Sequence, residues 1–162
     1  MHPQENSLST GQHRMLIAGC AAALGGLVPV ALYQLGVIGH LPDPPGACFD
    51  SDRITSSRVA HPFGIPDSLL GMASYGTTLA LIVAAGRSMP AGRFLGAKLG
   101  LDGAMAGFNS VRQVVSFGRI CSWCMITAGA TAAMVYVGRD LVEATALETA
   151  TAVGARIEQQ FD

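Results

Sequence analysis

Three long stretches of this chain contain no charged residue, and they constrain its fold more than any other feature. The stretches cover residues 15–39, 68–86 and 120–138. A helix needs about 20 consecutive, mainly apolar residues to cross a bilayer, so each stretch is long enough. Half of the residues are hydrophobic and 13% are charged, whereas a soluble domain carries about 25% charge. These observations predict an integral membrane protein.

A fourth, weaker candidate span covers residues 94–117. It contains Lys98 and Asp102, which lie four residues apart on one helical face and are able to pair. Closely spaced glycines let membrane helices approach each other, and this region has Gly92, Gly96, Gly100, Gly103 and Gly107. The alternative is an amphipathic helix on the membrane surface. With this segment spanning, the sequence predicts a single all-α domain over residues 1–138. That domain is a four-transmembrane-helix bundle, and residues 139–162 form a short cytoplasmic tail.

The segment "IAGC" at residues 17–20 resembles a lipoprotein cleavage site. Only two apolar residues, Met15 and Leu16, precede it, whereas a signal peptide needs an apolar region of about 7–15 residues. We therefore expect an uncleaved first span, in which Cys20 is a small buried hydrophobic residue.

The distribution of lysine and arginine predicts the orientation of the four spans. Four spans place both termini on one side, where six basic residues lie, against four on the other side. The positive-inside rule then places the termini in the cytoplasm. Residues 40–67, called the outer loop below, and the link at 116–119 would face outward. Cys48, Cys121 and Cys124 would thus share the oxidising side, which is the outward face of a bacterial inner membrane or the lumen of the ER.

Cys121 and Cys124 have C-x-x-C spacing at the start of the last span. A helix N-terminus favours a thiolate, and residues three apart lie on one helical face. We expect Cys121 to be the exposed nucleophile and Cys124 to face the apolar bundle, one turn deeper. Reduction of a disulfide between them would store two electrons beside the membrane interior, where a lipid-soluble quinone is the natural acceptor.

Other interpretations of this pair stay open. A zinc site needs four ligands, and only Cys48 and His61 are candidates for the remaining two. Inert packing is the simplest role for any buried cysteine, and Trp123 is typical of an interfacial anchor. The net charge of −1 and the absence of a basic stripe give no indication of nucleic-acid binding.

The outer loop contains features of a folded cap over the bundle. Prolines interrupt its start, and a short helix is predicted within residues 51–60, capped by Ser51 or Asp52. Asp67 or Ser68 would cap the following span. The apolar members expected to face the membrane are Phe49, Ile54, Val59, Phe63 and Ile65.

The stretch "ACFDSDRITSSRVAHPFGIPDSLLG", followed later by "CSWCMITAGATAAM", resembles the vitamin K epoxide reductase family, its bacterial branch in particular. The resemblance covers about residues 15–138. It implies a four-helix transmembrane bundle around a quinone site, capped by the outer loop. It also implies an enzyme that couples thiol–disulfide exchange to quinone chemistry. Bacterial relatives oxidise a thioredoxin-fold partner and reduce quinone, and animal relatives reduce vitamin K quinone or its epoxide.

The resemblance also implies roles for individual cysteines. Cys121 and Cys124 match the redox pair beside the quinone, and Cys48 matches the loop cysteine that meets the partner. The family has a second loop cysteine eight residues later, where this chain has Ser56. We interpret Ser56 as an engineered replacement of that cysteine, because such a substitution traps a redox state.

The resemblance assigns further residues to the quinone site. Asp67 stands where relatives often have an asparagine that bonds a quinone carbonyl. A protonated Asp67 could donate such a bond, and its alternative role is a helix cap. Ala128 stands where animal relatives have tyrosine, and this departure argues against vitamin K itself and for simpler quinones. The acceptor that the resemblance implies is a ubiquinone, a menaquinone or a vitamin K type of quinone. The remaining residues assigned to this site are Ser57, Phe63 and Trp123. No thioredoxin domain is attached, so the expected partner is a separate protein, and no metal is expected.

Two alternatives to this function follow from the sequence. Another family of four-span thiol–quinone oxidoreductases places its C-x-x-C after the first span, whereas here the motif follows the third. A non-enzymatic four-span scaffold with incidental cysteines belongs to a different class. Such a scaffold predicts thiols that do not respond to quinone.

Overall fold

The structure is a computed structural model, and it describes residues 8–85 and 89–161. Two short 3₁₀ turns, Arg58–Ala60 and Pro62–Gly64, lie in the outer loop. The only β contact within the described ranges is a single parallel bridge between Phe49 and Ile120. The described α-helices are α1 (Thr10–Gln34), α2 (Ser51–Thr55), α3 (Asp67–Ala85), α4 (Met89–Phe117), α5 (Ser122–Val137) and α6 (Arg139–Phe161).

Four of the long helices close into a bundle. Helices α1 and α4 each contact both α3 and α5, and α6 packs on the outside of α4. The interior is apolar and includes Leu16, Cys20, Ala23, Tyr75, Ile82, Leu95, Leu99 and Met134. The predictions of an all-α fold and of a buried Cys20 are confirmed. Within the described residues, α1 and α3 are long and apolar enough to span a membrane, and α5 is apolar but has 16 residues.

Helix boundaries differ from the predicted spans by several residues. Helix α1 begins at Thr10, because Ser9 accepts a hydrogen bond from the Gln12 N–H and Gln12 bonds back to Ser9. It ends at Gln34, since Gly36 has a φ of +74°, which does not continue a helix. Residues 1–7, Gly86 at the end of the second predicted span, Arg87 and Asp162 lie outside the described residues.

The predicted pair between Lys98 and Asp102 is confirmed, with 2.5 Å between Lys98 Nζ and Asp102 Oδ1. The pair lies against the middle of α3. Lys98 also donates to Ser74 Oγ (2.8 Å) and Thr78 Oγ1 (3.0 Å), and both hydroxyls donate to Asp102. This closed network gives the buried charges hydrogen-bond partners on every side, which lowers the cost of burying them.

Glycines allow α1 and α5 to pack closely. A Cβ atom at Gly26 would lie 2.6 Å from Thr127 Oγ1 and 3.0 Å from the carbonyl oxygen of Trp123. The first distance is shorter than real Cβ atoms make and the second is tight against backbone, so this approach favours glycine. Because Trp123 lies between the two cysteines of α5, the same contact positions the C-x-x-C motif.

We predict that Gly26→Ala destabilises the folded protein by about 1–3 kcal/mol, because the added methyl group forces α1 and α5 apart. Thermal unfolding in detergent measures the effect. Gly25→Ala is the matched control, since a Cβ at Gly25 meets nothing within 4 Å. Equal unfolding temperatures for the two variants would contradict the close-packing argument.

Candidate functional site at the cysteine end of the bundle

The C-x-x-C motif lies at the first turn of α5. Cys121 is the N-cap residue, and its Sγ accepts a hydrogen bond from the Cys124 N–H at 3.1 Å. Backbone N–H donors and the helix dipole stabilise a thiolate at such a position. All four cysteines of the chain are free thiols in this structure. We call the end of the bundle where α1 and α4 finish and α3 and α5 begin the cysteine end.

Access to the two cysteines differs from the prediction. Cys121 is 0% exposed, whereas Cys124 is partly exposed and Cys48 is exposed. The prediction that Cys121 is the exposed member of the pair is therefore wrong. The reason is that the outer loop folds over the first turn of α5, which the position of a residue in a helix does not reveal.

Asp43 attaches the outer loop to α5. Its Oδ1 accepts hydrogen bonds from the hydroxyls of Ser51 and Ser122, both at 2.6 Å, and its Oδ2 accepts from the Ser51 N–H at 2.7 Å. Ser51 Oγ in turn accepts from the Ser122 N–H at 3.1 Å. Partial burial raises the pKa of Asp43, but the hydrogen bonds from Ser122 and Ser51 outweigh it, so the pKa lies below its usual 3.8. We call Asp43, Ser51 and Ser122 the loop clamp.

The loop clamp explains a second difference from the prediction. Helix α2 is capped by Asp50, whose carboxylate accepts from the Arg53 N–H at 3.2 Å. The predicted caps have other roles: Ser51 belongs to the clamp, and Asp52 accepts from the Leu41 N–H at 2.8 Å. The prediction of a short helix in this region is confirmed, with a cap one residue earlier.

The segment around Cys48 runs beside the residues that precede Cys121. The Ile120 N–H donates to the Cys48 carbonyl at 2.9 Å, and the Asp50 N–H donates to the Ile120 carbonyl at 3.2 Å. Arg119 donates to the Ala47 carbonyl. Trp123 adds a further tie, because its Nε1 donates to the Pro42 carbonyl at 3.0 Å. An exposed thiol is thus held close to the start of α5.

Gln34, at the end of α1, connects three elements of the cysteine end. Its Nε2 donates to Asp67 Oδ1 at 2.9 Å and to the Thr55 carbonyl at 3.0 Å. Its Oε1 accepts from Ser68 Oγ at 2.5 Å. The sequence analysis missed Gln34, although a glutamine within an otherwise mainly apolar, charge-free run is itself a signal.

Helix α4 contributes Arg112 and Gln113 to the same end. Gln113 is 1% exposed, and its Oε1 accepts from the Cys121 N–H at 2.8 Å. Arg112 donates from Nη2 to Asn109 Oδ1 at 2.6 Å, and it lies close enough to Asp67 and Cys124 to interact with both electrostatically. The sequence analysis assigned neither residue to the site. Each bundle helix therefore brings a polar residue to the cysteine end.

Several sequence-predicted residues lie elsewhere. Ser56 is exposed and donates to the Arg53 carbonyl at 3.4 Å, while the buried loop serine beside α5 is Ser51. Ser57 donates to the Ile54 carbonyl at 2.7 Å. Phe63 is fully exposed in a 3₁₀ turn with a φ of 57°.

The structure brings together only part of the predicted site, namely Cys48, Asp67, Cys121, Trp123 and Cys124, with Ala128 partly buried one turn further along α5. Of the loop residues expected to face the membrane, Ile54 is buried, and Val59, Phe63 and Ile65 are exposed.

This arrangement suits thiol–disulfide chemistry. A pair of thiols lies under a loop at the polar end of an apolar bundle, and a third thiol is exposed beside it. Within residues 8–85 and 89–161, no group of three or more histidine, cysteine, aspartate or glutamate side chains is placed to hold a metal ion.

Comparison with known proteins gives one match. No curated protein and no solved structure matches the chain. The sequence model of the vitamin K epoxide reductase family matches residues 14–138, which cover the outer loop, the cysteine pair and the four bundle helices apart from the first turn of α1. The chain therefore belongs to the vitamin K epoxide reductase family, whose members are membrane oxidoreductases that link thiols to quinones.

Proposed function

We propose that this protein passes two electrons from a reduced thioredoxin-fold partner to a membrane quinone through Cys121 and Cys124. The observation that carries the proposal is the position of the pair. It lies between a loop with an exposed thiol and the polar end of an apolar bundle. In this proposal α1, α3, α4 and α5 all span a bacterial inner membrane, with the termini in the cytoplasm and the cysteine end outside.

The chemistry has two balanced halves. In the first half, a partner dithiol reduces the Cys121–Cys124 disulfide, and the partner leaves as a disulfide. In the second half, the two thiols are oxidised again, and their two electrons and two protons convert the quinone to the quinol. The acceptor is a ubiquinone, a menaquinone or a vitamin K type of quinone.

Cys48 is the residue that meets the partner in this proposal. It is exposed, and its backbone pairs with Ile120, the residue before Cys121. The hydroxyls of Ser51 and Ser56 do not substitute for a thiolate in disulfide exchange. A Cys48 thiolate therefore attacks the Cys121 sulfur directly and displaces Cys124 as a thiolate. A partner thiolate then attacks the Cys48 sulfur and releases Cys121, and the second partner thiol resolves the mixed disulfide.

The loop clamp controls the first half of the reaction in this proposal. Cys121 is fully buried beneath the outer loop, so exchange at its sulfur requires the loop to move. The hydrogen bonds of Asp43 to Ser51 and Ser122 oppose that movement. Cys124 is partly exposed in the same state, so the thiol that faces the quinone does not need the loop to open.

We expect added soluble quinone to convert reduced Cys121 and Cys124 to a disulfide while Cys20 stays reduced. Thiol-labelling mass spectrometry before and after quinone addition measures this. Cys124→Ala should abolish quinone reduction, because the Cys121–Cys124 disulfide cannot form and the thiol next to the quinone is lost. Cys20→Ala, a cysteine variant in the core away from the pair, should retain it.

Two results would count against the proposal. Quinone turnover in Cys124→Ala would remove the pair from the reaction. Thiols in the intact protein that ignore quinone would favour the non-enzymatic scaffold instead.

We predict that Asp43→Asn exposes Cys121 at all pH values. Since the pKa of Asp43 is lowered in the folded protein, its contribution to loop closure is complete above the usual carboxyl pKa of 3.8 and is lost as the pH falls through the lowered value. Intact protein should thus protect Cys121 at about pH 7, begin to lose protection below about pH 3.8, and lose it fully as the pH falls through the lowered pKa of Asp43.

The reaction of Cys121 with 4,4′-dithiodipyridine, which labels thiols in acid, measures this protection. Asp50→Asn is the matched control, because asparagine also caps a helix. The idea fails if Asp43→Asn and the intact protein react at the same rate at neutral pH.

A further inference from the structure

Two buried side-chain nitrogens lack a hydrogen-bond partner in the described part of the chain, and they belong to consecutive residues. They are Arg112 Nε and Gln113 Nε2, near the end of α4. Buried N–H groups are almost always paired, because an unpaired one has lost its bond to water without replacement. Two unpaired donors on consecutive residues of the helix that contacts the redox-active pair indicate an acceptor that comes from outside the chain.

The orientation of the Gln113 amide follows from its other bond. Gln113 Oε1 accepts from the Cys121 N–H, and a flipped amide would place two donors against each other. The Nε2 atom shares its carbon atom with this oxygen, so it lies beside the start of α5. Since Gln113 is 1% exposed, bulk water does not reach the amide.

Arg112 is held in place by neighbours on its own helix. Its Nη2 donates to Asn109 Oδ1 at 2.6 Å, and its guanidinium carbon lies 6.0 Å from the centre of the Phe108 ring. These contacts leave Nε unpaired while the positive charge stays within electrostatic reach of Cys124 and Asp67. The Arg112 guanidinium is therefore a cation of fixed position near the Cys124 thiol.

We propose that Arg112 Nε and Gln113 Nε2 bind one carbonyl oxygen of the quinone next to Cys124. This inference rests on the proposed function and names the residues that receive its acceptor. A carbonyl oxygen has two lone pairs and therefore accepts from both donors. It is also uncharged before reduction, which suits an apolar bundle. Electron transfer from the thiols places negative charge on that oxygen, and the adjacent guanidinium stabilises it.

The proton balance of the reaction leaves both residues unchanged. The two thiols of Cys121 and Cys124 supply two electrons and two protons, the disulfide forms, and the protons end on the two quinol oxygens. Arg112 and Gln113 donate hydrogen bonds and lose no proton. Asp67 is a weaker candidate for this role, because a carboxyl group donates to a carbonyl oxygen only when it is protonated.

Quinone binding to the protein with an oxidised cysteine pair tests the inference without turnover. Trp123 is the only tryptophan of the chain and lies between the cysteines, so the quenching of its fluorescence reports a short-chain ubiquinone. The second probe has the same ring and tail but carries methoxy groups in place of the two carbonyls. Comparison of the two probes isolates the carbonyl oxygens.

The test variants are Arg112→Met and Gln113→Glu. Gln113→Glu keeps an oxygen for the Cys121 N–H and removes the amide donor. We expect each variant to bind the quinone about tenfold more weakly and the methoxy probe as before, since a single hydrogen bond to a buried group is lost. The matched controls are Arg53→Met, in the exposed part of the loop, and Gln12→Glu, at the opposite end of α1.

Failure of this inference is distinguishable from failure of the proposed function. Quinone affinity in both variants equal to that of the intact protein would overturn the inference alone. An equal loss for both probes would show a structural role for these residues and would also overturn it. An intact protein that neither binds nor reduces quinone would overturn the proposed function together with the inference.

Discussion

The polar groups at the cysteine end must find partners within the protein, and this constraint determines how the loop, the helices and the thiols meet. The neighbouring bundle is apolar, so helix ends and loop backbone have few alternatives to internal hydrogen bonds. The Gln34 side chain, at the end of α1, forms hydrogen bonds with polar groups of the outer loop and of the start of α3. Gln113 performs the same function for the N–H of Cys121. Both residues act through amides, which offer a donor and an acceptor at once.

The same hydrogen bonds make the two cysteines of the pair unequal. The loop clamp covers Cys121, whereas Cys124 is partly exposed. An enzyme that exchanges disulfides with a protein and electrons with a lipid-soluble molecule needs this separation, because its two substrates approach from different media. The Gly26 contact contributes by holding α5 against α1 at the level of Trp123. The close contact at Gly26 thus positions the cysteine pair, and the hydrogen bonds of Asp43 hold the loop over Cys121.

The sequence predicted those features that depend on local patterns. Charge-free runs predicted α1, α3 and α5, and the spacing of Lys98 and Asp102 predicted their ion pair. The spacing rule did not give the polar partners on α3, because they lie 20 or more residues away. The loop clamp was missed for the same reason, since Asp43 and Ser122 are 79 residues apart. The prediction that Cys121 is exposed was wrong. The position of a residue at a helix N-terminus indicates the acidity of its thiol, but it does not show which other segments cover that thiol.

Two polar layers of the described bundle differ, and their difference supports a ligand at only one of them. At the Lys98 layer, the ammonium group donates to three oxygen atoms. The hydroxyls of Ser74 and Thr78 in turn donate to Asp102. That layer is complete and ties α3 to α4. At the cysteine end, two donors on α4 stay unpaired within the described residues, although Gln34 and the loop clamp satisfy their neighbours. A fold that closes one polar network fully has no structural need for open donors in the other, so the open donors are best explained by an acceptor that binds there.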